Sequence, residues 1–275
     1  MSRQDLTQVE THFAFGENWA NYAESIDQAE IAEAVAGLRR LLGGAKLNGL
    51  RMLDIGSGSG IHSLAALRLG AAEVVSVDID PDSVATTRQV LQRHAEGRWQ
   101  VLELSVFDLD SNRLGKFDLV YSWGVLHHTG AMHRAIAGAT AMVAPQGQFV
   151  FALYRRTWLC PLWTLEKKWY SKASEPMQIR ARKAYASILR LGLQVSGRSF
   201  DDYVRGYVGK RGMDFDHDVH DWLGGFPYES ISAQEVDLIM RKSSFALRRR
   251  FVQNALKHRI GILGSGCDEY VYARN

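Results

Sequence analysis

The run Arg51-Met52-Leu53-Asp54-Ile55-Gly56-Ser57-Gly58-Ser59-Gly60 decides the fold. Its first half reads as a short apolar strand and its second half as a glycine-rich turn. A helix should follow from about Ile61 to Leu69, stopped by Gly70. Glycine lets the backbone take turns closed to other residues and pass close to a ligand. The helix N-terminus behind such a turn offers unpaired N–H groups to a negative group. Working outward, Glu73 to Ile79 (EVVSVDI) is a second strand, and Pro81 suits the first turn of a second helix ending near His94. Trp99 to Val106 is a third strand and Phe117 to Trp123 a fourth. A helix over Ala131 to Val143 and a turn at Pro145-Gln146-Gly147 lead to a fifth strand, Gln148 to Tyr154. Short apolar strands alternating with helices specify an α/β fold, a parallel sheet with helices on both faces.

The flanks extend this core, taken as 50–154. Residues 1–49 read as a helical N-terminal cap. Within it, Ala29 to Leu42 places Ile31, Val35, Leu38 and Leu42 on one face. Residues 155–232 break the strand–helix rhythm and read as a helical insertion after the fifth strand, capping the active site. Residues 233–275 restore it with a helix (Ala233 to Ser243), a strand (Phe245 to Val252) and a last strand (Glu269 to Arg274).

Composition narrows the function classes. The 275 residues are 46% hydrophobic and 23% charged, which excludes a disordered or fibrous chain. No apolar run reaches the ~18 residues of a membrane span, and the polar first ten residues lack a signal-peptide core. Two cysteines, Cys160 and Cys267, make neither a disulfide framework nor a multi-cysteine zinc site. A cytoplasmic protein with reduced thiols is expected. The net charge of +3 demands no nucleic-acid partner, yet it is unevenly spread. Arg155 to Arg211 carries 13 basic residues against 4 acidic, and Gly212 to Ser232 carries 5 acidic and no basic. The first stretch is either a set of solvated helix faces or a basic wall that steers an anionic substrate.

Ligands of open parallel sheets sit beyond the carboxyl ends of the strands. Asp54, Asp78, Asp108 and Ser122 fall on that edge. Asp78, closing the second strand, can accept both hydroxyls of a ribose. Asp54, before the glycines, can hold the loop or receive an ammonium. A nicotinamide dehydrogenase is disfavoured, because Ile61 stands where the dinucleotide fingerprint places its third glycine.

LDIGSGSG, SVDID, SVFD and FDLVYSWGVLHHTG together resemble the class I S-adenosylmethionine-dependent methyltransferases, over the whole pattern from Arg51 to Tyr154. FAFGENW, HDWLGGFPYE and GCDEYVYAR outside it resemble a bacterial subgroup of uncharacterised small-molecule methyltransferases. The resemblance implies a Rossmann-like seven-stranded sheet, mostly parallel with an antiparallel last strand, and S-adenosyl-L-methionine as cofactor. It also implies roles. Gly56, Ser57, Gly58 and Gly60 would wrap the methionyl part. Asp78 would bind the ribose, and Ile79 would lie on the adenine. Asp108 would meet the adenine amino group beside Phe107, and the backbone at Ser122 and Trp123 would line the sulfonium. Trp19, with Asn18 and Tyr22, lies in a segment that commonly folds over the cofactor.

Methyl transfer from a sulfonium is an in-line displacement, for which the protein supplies alignment, desolvation and sometimes a base. His127 and His128, just beyond the fourth strand, are candidate bases. Adjacent residues cannot both point into one pocket, and His128 is preferred. Tyr154 ends the fifth strand on the same edge as a substrate contact. His217 or His220 could be offered by the Asp- and His-rich run Met213 to Trp222. That run suggests a metal when read alone. It lacks the sharp-turn glycine and closing glutamate of a calcium loop, so no metal is expected. SWGVLHH lacks the Asn/Asp-Pro-Pro-aromatic motif of the amide- and adenine-methylating relatives. Trp158, Trp163 and Trp169 either form the core of the inserted helices or roof a substrate pocket. The expected function is methylation of an O or N atom of a small molecule, slightly favoured to be acidic. No nucleic-acid or membrane partner is expected, and the state is monomer or homodimer. The rivals are an RNA methyltransferase of the same fold, with tRNA as its test ligand, and a cofactor-binding module without turnover.

Overall fold

A computed structural model of the chain describes residues 19, 23, 26–207, 215–252, 261 and 264–275. Asn18, Tyr22, Met213 and Asp214 lie outside them, and the side chain of His217 is likewise not described. The first described helix, α1 (Gln28–Leu41), opens on a capping box. Asp27 accepts the Glu30 backbone N–H while the Glu30 side chain accepts that of Asp27. Then come β1 (Arg51–Ile55), α2 (Ile61–Arg68), β2 (Glu73–Asp78), α3 (Pro81–His94), β3 (Arg98–Glu103), α4 (Ser111–Leu114), β4 (Phe117–Trp123), α5 (Met132–Ala141) and β5 (Val143–Tyr154).

Seven strands form one sheet in the order β3-β2-β1-β4-β5-β7-β6. The last two are β6 (Phe245–Phe251) and β7 (Cys267–Arg274). The pairs β3–β2, β2–β1, β1–β4 and β4–β5 are parallel, and β7 runs antiparallel to both β5 and β6. The Rossmann-like sheet with its antiparallel last strand is therefore present as expected. Alternation along β1 sends Leu53 and Ile55 to one face and Met52 to the other. Leu53 and Ile55 pack with α5 residues Ala135, Ile136 and Ala139. Met52 packs with Leu38 and Leu41 of α1 and Ala65 and Ala66 of α2. Helices cover both faces, so the central strands are mostly apolar.

Two boundaries differ from the sequence reading. The turn expected at Pro145-Gln146-Gly147 is absorbed into β5 as an irregularity. Register jumps from Phe117 opposite Val143 to Leu119 opposite Gln148, and Gln146 takes φ +61°. β3 stops at Glu103 rather than Val106. Ser105 then caps a tight turn, Val106–Asp108, by accepting the Phe107 N–H.

The insertion contributes α6 (Cys160–Tyr170), α7 (Glu175–Val195), α8 (Phe200–Arg205) and α9 (Phe215–Gly224), and α10 (Ala233–Lys242) follows it. Its helices close on a core of their own, built from Tyr170, Leu189, Leu193, Tyr207, Phe215, Val219 and Leu223. Trp158 and Trp169 are exposed and belong neither to that core nor to a roof over a pocket. Trp163 donates its indole N–H to the Gly261 carbonyl at 2.8 Å. The entrance and exit of the insertion lie side by side. Arg155 bridges Ile231, the Arg156 N–H donates to the Ile231 carbonyl at 3.0 Å, and that of Ile231 donates to Tyr154 at 3.0 Å. The Arg155 guanidinium pairs with buried Asp268 of β7, and Arg156 pairs with Glu235 of α10 at 2.8 Å.

Candidate functional site

The carboxyl edge of the sheet opens into one cavity of about 1370 Å³ that reaches from the glycine loop to the inserted helices. Its core side is lined by Gly56, Ser57, Gly58, Asp78, Ile79, Phe107 and Trp123, with Trp19 from the N-terminal segment. The loop is tied down on two sides. The Gly56 and Ser57 N–H groups donate to the Val77 carbonyl at 2.8 and 3.2 Å. On α3, the Thr87 hydroxyl donates to the Gly58 carbonyl at 2.9 Å and lies 2.9 Å from the Ser57 hydroxyl. Gly56 has φ +74°, and a Cβ there would stand 2.3 Å from a Val125 methyl. The first loop glycine therefore permits both the turn and the approach of the chain beyond β4.

Asp78 accepts the Gly58 N–H and the Asp80 N–H, each at 3.0 Å, one on each oxygen. Burial pushes its carboxyl up to about 6, against the lowering effect of those two bonds. Asp80 acts as a helix cap, accepting the Asp82 N–H at 2.8 Å with Pro81 in the first turn of α3. The cation of Arg134 stands 4.1 Å over the Phe107 ring, fixing one wall beside Ile79.

Several expected site residues are set back from this cavity. Asp54 is buried beneath the loop, where the Ser63 hydroxyl donates to it at 2.6 Å and also meets Ser76 at 2.7 Å. Holding the loop is the role this geometry supports, and receiving an ammonium is not. Gly60 is the N-cap of α2, with φ +77° and the Thr87 Cα 3.0 Å from where its Cβ would be. Ser122 is fully buried and donates to the Ile55 carbonyl at 3.0 Å, so the lining falls to Trp123, Gly124 and Val125. Asp108 is exposed on the tight turn after β3. It borders a separate small recess with Asp110 and Arg113.

The two histidines separate as adjacent residues must. His127 is fully buried, and its Nδ1 accepts the Tyr154 N–H at 3.3 Å. Burial holds its ring well below the usual histidine range, with His128 and Lys167 acting in the same direction. It packs the strand end and does not line the cavity. His128 does line it, with Nδ1 2.8 Å from the Pro227 carbonyl. A carbonyl only accepts, so Nδ1 carries the proton and Nε2 of the neutral ring is an acceptor. Tyr154 lies in the same wall, edge-on to His128 at 5.2 Å and to Trp222 at 5.3 Å. Burial, joined by the charges of Asp218 and Asp221 among others, holds its phenol well above the usual range, so it remains a donor.

The far wall is aromatic and carries carboxylates. Tyr185, Tyr203, Tyr207, Phe215 and Trp222 line it with Asp218 and Asp221. The Tyr207 hydroxyl donates to Asp218. His220, on the same helix, has Nδ1 2.7 Å from both the Tyr170 hydroxyl and the Arg182 guanidinium. Among the described residues no group of three or more His, Cys, Asp or Glu side chains is arranged to hold a metal ion.

A cluster that the motifs did not announce closes the opposite rim. Arg40 of α1 holds Glu269 of β7 through both carboxylate oxygens, at 2.7 and 3.0 Å, and the Trp123 indole N–H donates to Glu269 at 3.1 Å. His62 lies beside it, 5.1 Å from the Tyr121 ring, with burial lowering it to about 4. Arg40, His62, Tyr121, Trp123 and Glu269 all border the cavity.

Burial pushes the Asp54 carboxyl from 3.8 up to about 7, with Asp78 adding to the rise and Ser63 opposing it. Its folded form thus binds more protons than its unfolded form between those values. Asp54 contributes stability that is full below about pH 4 and is lost as pH rises through about 7. The isosteric Asp54→Asn protein should therefore gain stability relative to the native one across that window. Paired urea melts at stepped pH check this, and a pH-independent difference would refute it.

Residues 53–149 match the sequence model of a methyltransferase domain. The match covers about a third of the chain. A tRNA U34 carboxymethyltransferase of Methylococcus capsulatus is 35% identical over 115 residues, 41% of this chain and 35% of the relative. The chain thus spans about a third of that relative's length. Among solved structures, the magnesium protoporphyrin IX methyltransferase of Synechocystis PCC 6803 with bound SAH shares the fold. Its TM-score is 0.53 at 15% identity, over 90% of this chain and 84% of that one. The N-methyltransferase NodS of Bradyrhizobium japonicum WM9, with bound S-adenosylhomocysteine, gives 0.50 at 14% identity, over 90% and 88%.

Proposed function

We propose that the protein is an S-adenosylmethionine-dependent methyltransferase acting on an O or N atom of a small molecule. The observation that carries this reading is the single cavity joining the glycine loop and Asp78 to the aromatic wall of the insertion. Its core side fits the cofactor. Asp78 presents a carboxylate to a ribose diol, and Ile79 and Phe107 make an apolar slot for a purine. The loop beneath Trp19 leaves room for the methionyl chain, and Trp123 to Val125 border the reacting centre. When bound, S-adenosylmethionine supplies an electrophilic methyl group on a sulfonium.

The protein's own part is alignment and proton management. The aromatic wall suits an acceptor with a planar or apolar body. His128, its tautomer set by the Pro227 carbonyl, offers Nε2 to take a proton from the acceptor, and Tyr154 donates a hydrogen bond. An acidic acceptor loses its support. Of the described basic residues in the insertion only Arg198 lines the cavity, alongside Asp218 and Asp221. The tRNA reading draws on the relative from Methylococcus, and tRNA binding that weakens steeply with salt would favour it.

Calorimetric titration with S-adenosylmethionine, S-adenosylhomocysteine and NADH tests the proposal. Micromolar binding of the first two and not the third is expected. Failure of both sulfur ligands to bind would overturn it. His128→Ala should leave S-adenosylhomocysteine affinity within about twofold and lower transfer of labelled methyl to an acceptor by ~100-fold, the modest end for a general base. An unchanged transfer rate would remove His128 from the reaction.

A further inference from the structure

One helix face of the insertion is covered by no element among the described residues. Trp158, Leu162, Leu165 and Trp169 are 91%, 62%, 66% and 46% exposed. Leu162, Leu165 and Trp169 fall within roughly 60° of one another on the α6 wheel, and Trp158 stands in the turn just before the helix. The opposite side of the same helix is anchored. Lys167 and Tyr170 are fully buried, with the Lys167 ammonium donating to the Trp222 carbonyl and standing 3.5 Å over the Trp222 ring. The exposed stripe is thus held outward by a fixed inner face. Between 158 and 172 the exposed charged residues are Lys168 and Lys172, both on one flank of the stripe.

We propose that this face of α6 docks on an anionic lipid surface. Tryptophan and leucine beside lysine is the composition of a helix lying in the membrane interface, the rings at headgroup depth and the ammonium groups among lipid phosphates. Charge complementarity decides the occupant: the exposed Lys168 and Lys172 beside the stripe meet an anionic leaflet. No described helix is long and apolar enough to cross a membrane, and a helix lying in the interface plane need not be. The expectation of no membrane partner is revised accordingly, from a span to a surface. The inference goes beyond the methyltransferase reading and does not depend on it.

Vesicle flotation tests it with the whole chain. The protein should float with vesicles of equal parts phosphatidylcholine and phosphatidylglycerol, and at least about tenfold less with phosphatidylcholine alone. The Trp158→Ser/Leu162→Ser/Leu165→Ser protein changes only exposed positions. It should keep its circular dichroism and any S-adenosylhomocysteine affinity yet lose about tenfold or more of its vesicle binding. Lys168→Glu/Lys172→Glu should do the same through charge. No flotation with the mixed vesicles, or equal flotation by the serine variant, overturns the proposal. So does a dimer in sedimentation velocity that the serine variant dissolves in the absence of vesicle binding, which would assign the face to a second copy.

Discussion

Gly58→Val should abolish measurable binding of S-adenosylmethionine and S-adenosylhomocysteine. Gly58 sits at φ +53°, and a Cβ there would stand 3.0 Å from the Trp19 indole. A left-handed backbone costs an L-residue about 1–2 kcal/mol, and a β-branched side chain is less tolerant still. Relaxing that strain rotates the Gly58 N–H away from Asp78, to which it donates at 3.0 Å. The isopropyl group meanwhile fills the gap between Trp19 and the loop. The effects act together on one cradle, so a flat calorimetric titration is expected. Wild-type affinity in the folded variant would mean that the loop does not cradle the cofactor.

Asp78→Ala should weaken cofactor binding by ~1–3 kcal/mol, about 5–150-fold, the range for hydrogen bonds to a charged group. Stability should move less. The carboxyl is buried and already pushed up to about 6, so its removal relieves desolvation while freeing the Gly58 and Asp80 N–H groups. The pH dependence separates a ligand contact from a scaffold role. If the ionised carboxylate receives the ribose hydroxyls, wild-type affinity should fall as pH drops through about 6, and the alanine protein should lack that inflection. Normal binding by Asp78→Ala would dismiss the ribose assignment.

The sheet was legible because each strand and helix carries its own local signal. Arg51 to Ile55 is apolar, glycine follows it, and Pro81 marks the start of a helix. Placement on the strand edge was legible too, but not which way a residue faces. Asp54, Ser122 and Asp78 all lie at the carboxyl ends of strands. Asp54 and Ser122 turn beneath the loop, and Asp78 turns into the cavity. A run of apolar residues buried on both faces gives no alternation from which to tell them apart. Asp108 lies past the end of β3, which stops three residues earlier than its apolar run suggests, and it borders the small recess with Asp110 and Arg113. Arg40 and Glu269 were beyond reach, since their pairing joins positions 229 apart through the register of β7. The Asp-rich run before Trp222 was noticed for its composition. That Asp218 and Asp221 face the cavity follows only from how α9 packs against α7.

The paired gateposts of the insertion carry a consequence for how such a protein diversifies. Tyr154, Arg155 and Arg156 enter beside Ser230 and Ile231, and the entering arginines are clamped to Asp268 of β7 and Glu235 of α10. Chain leaves and rejoins the scaffold at one point, so everything between behaves as a cassette with a common socket. Its contents can be lengthened, shortened or exchanged without a strand losing its neighbour. Under the proposed function, the edge that holds the methyl donor stays constant while the inserted half that meets the recipient is traded wholesale.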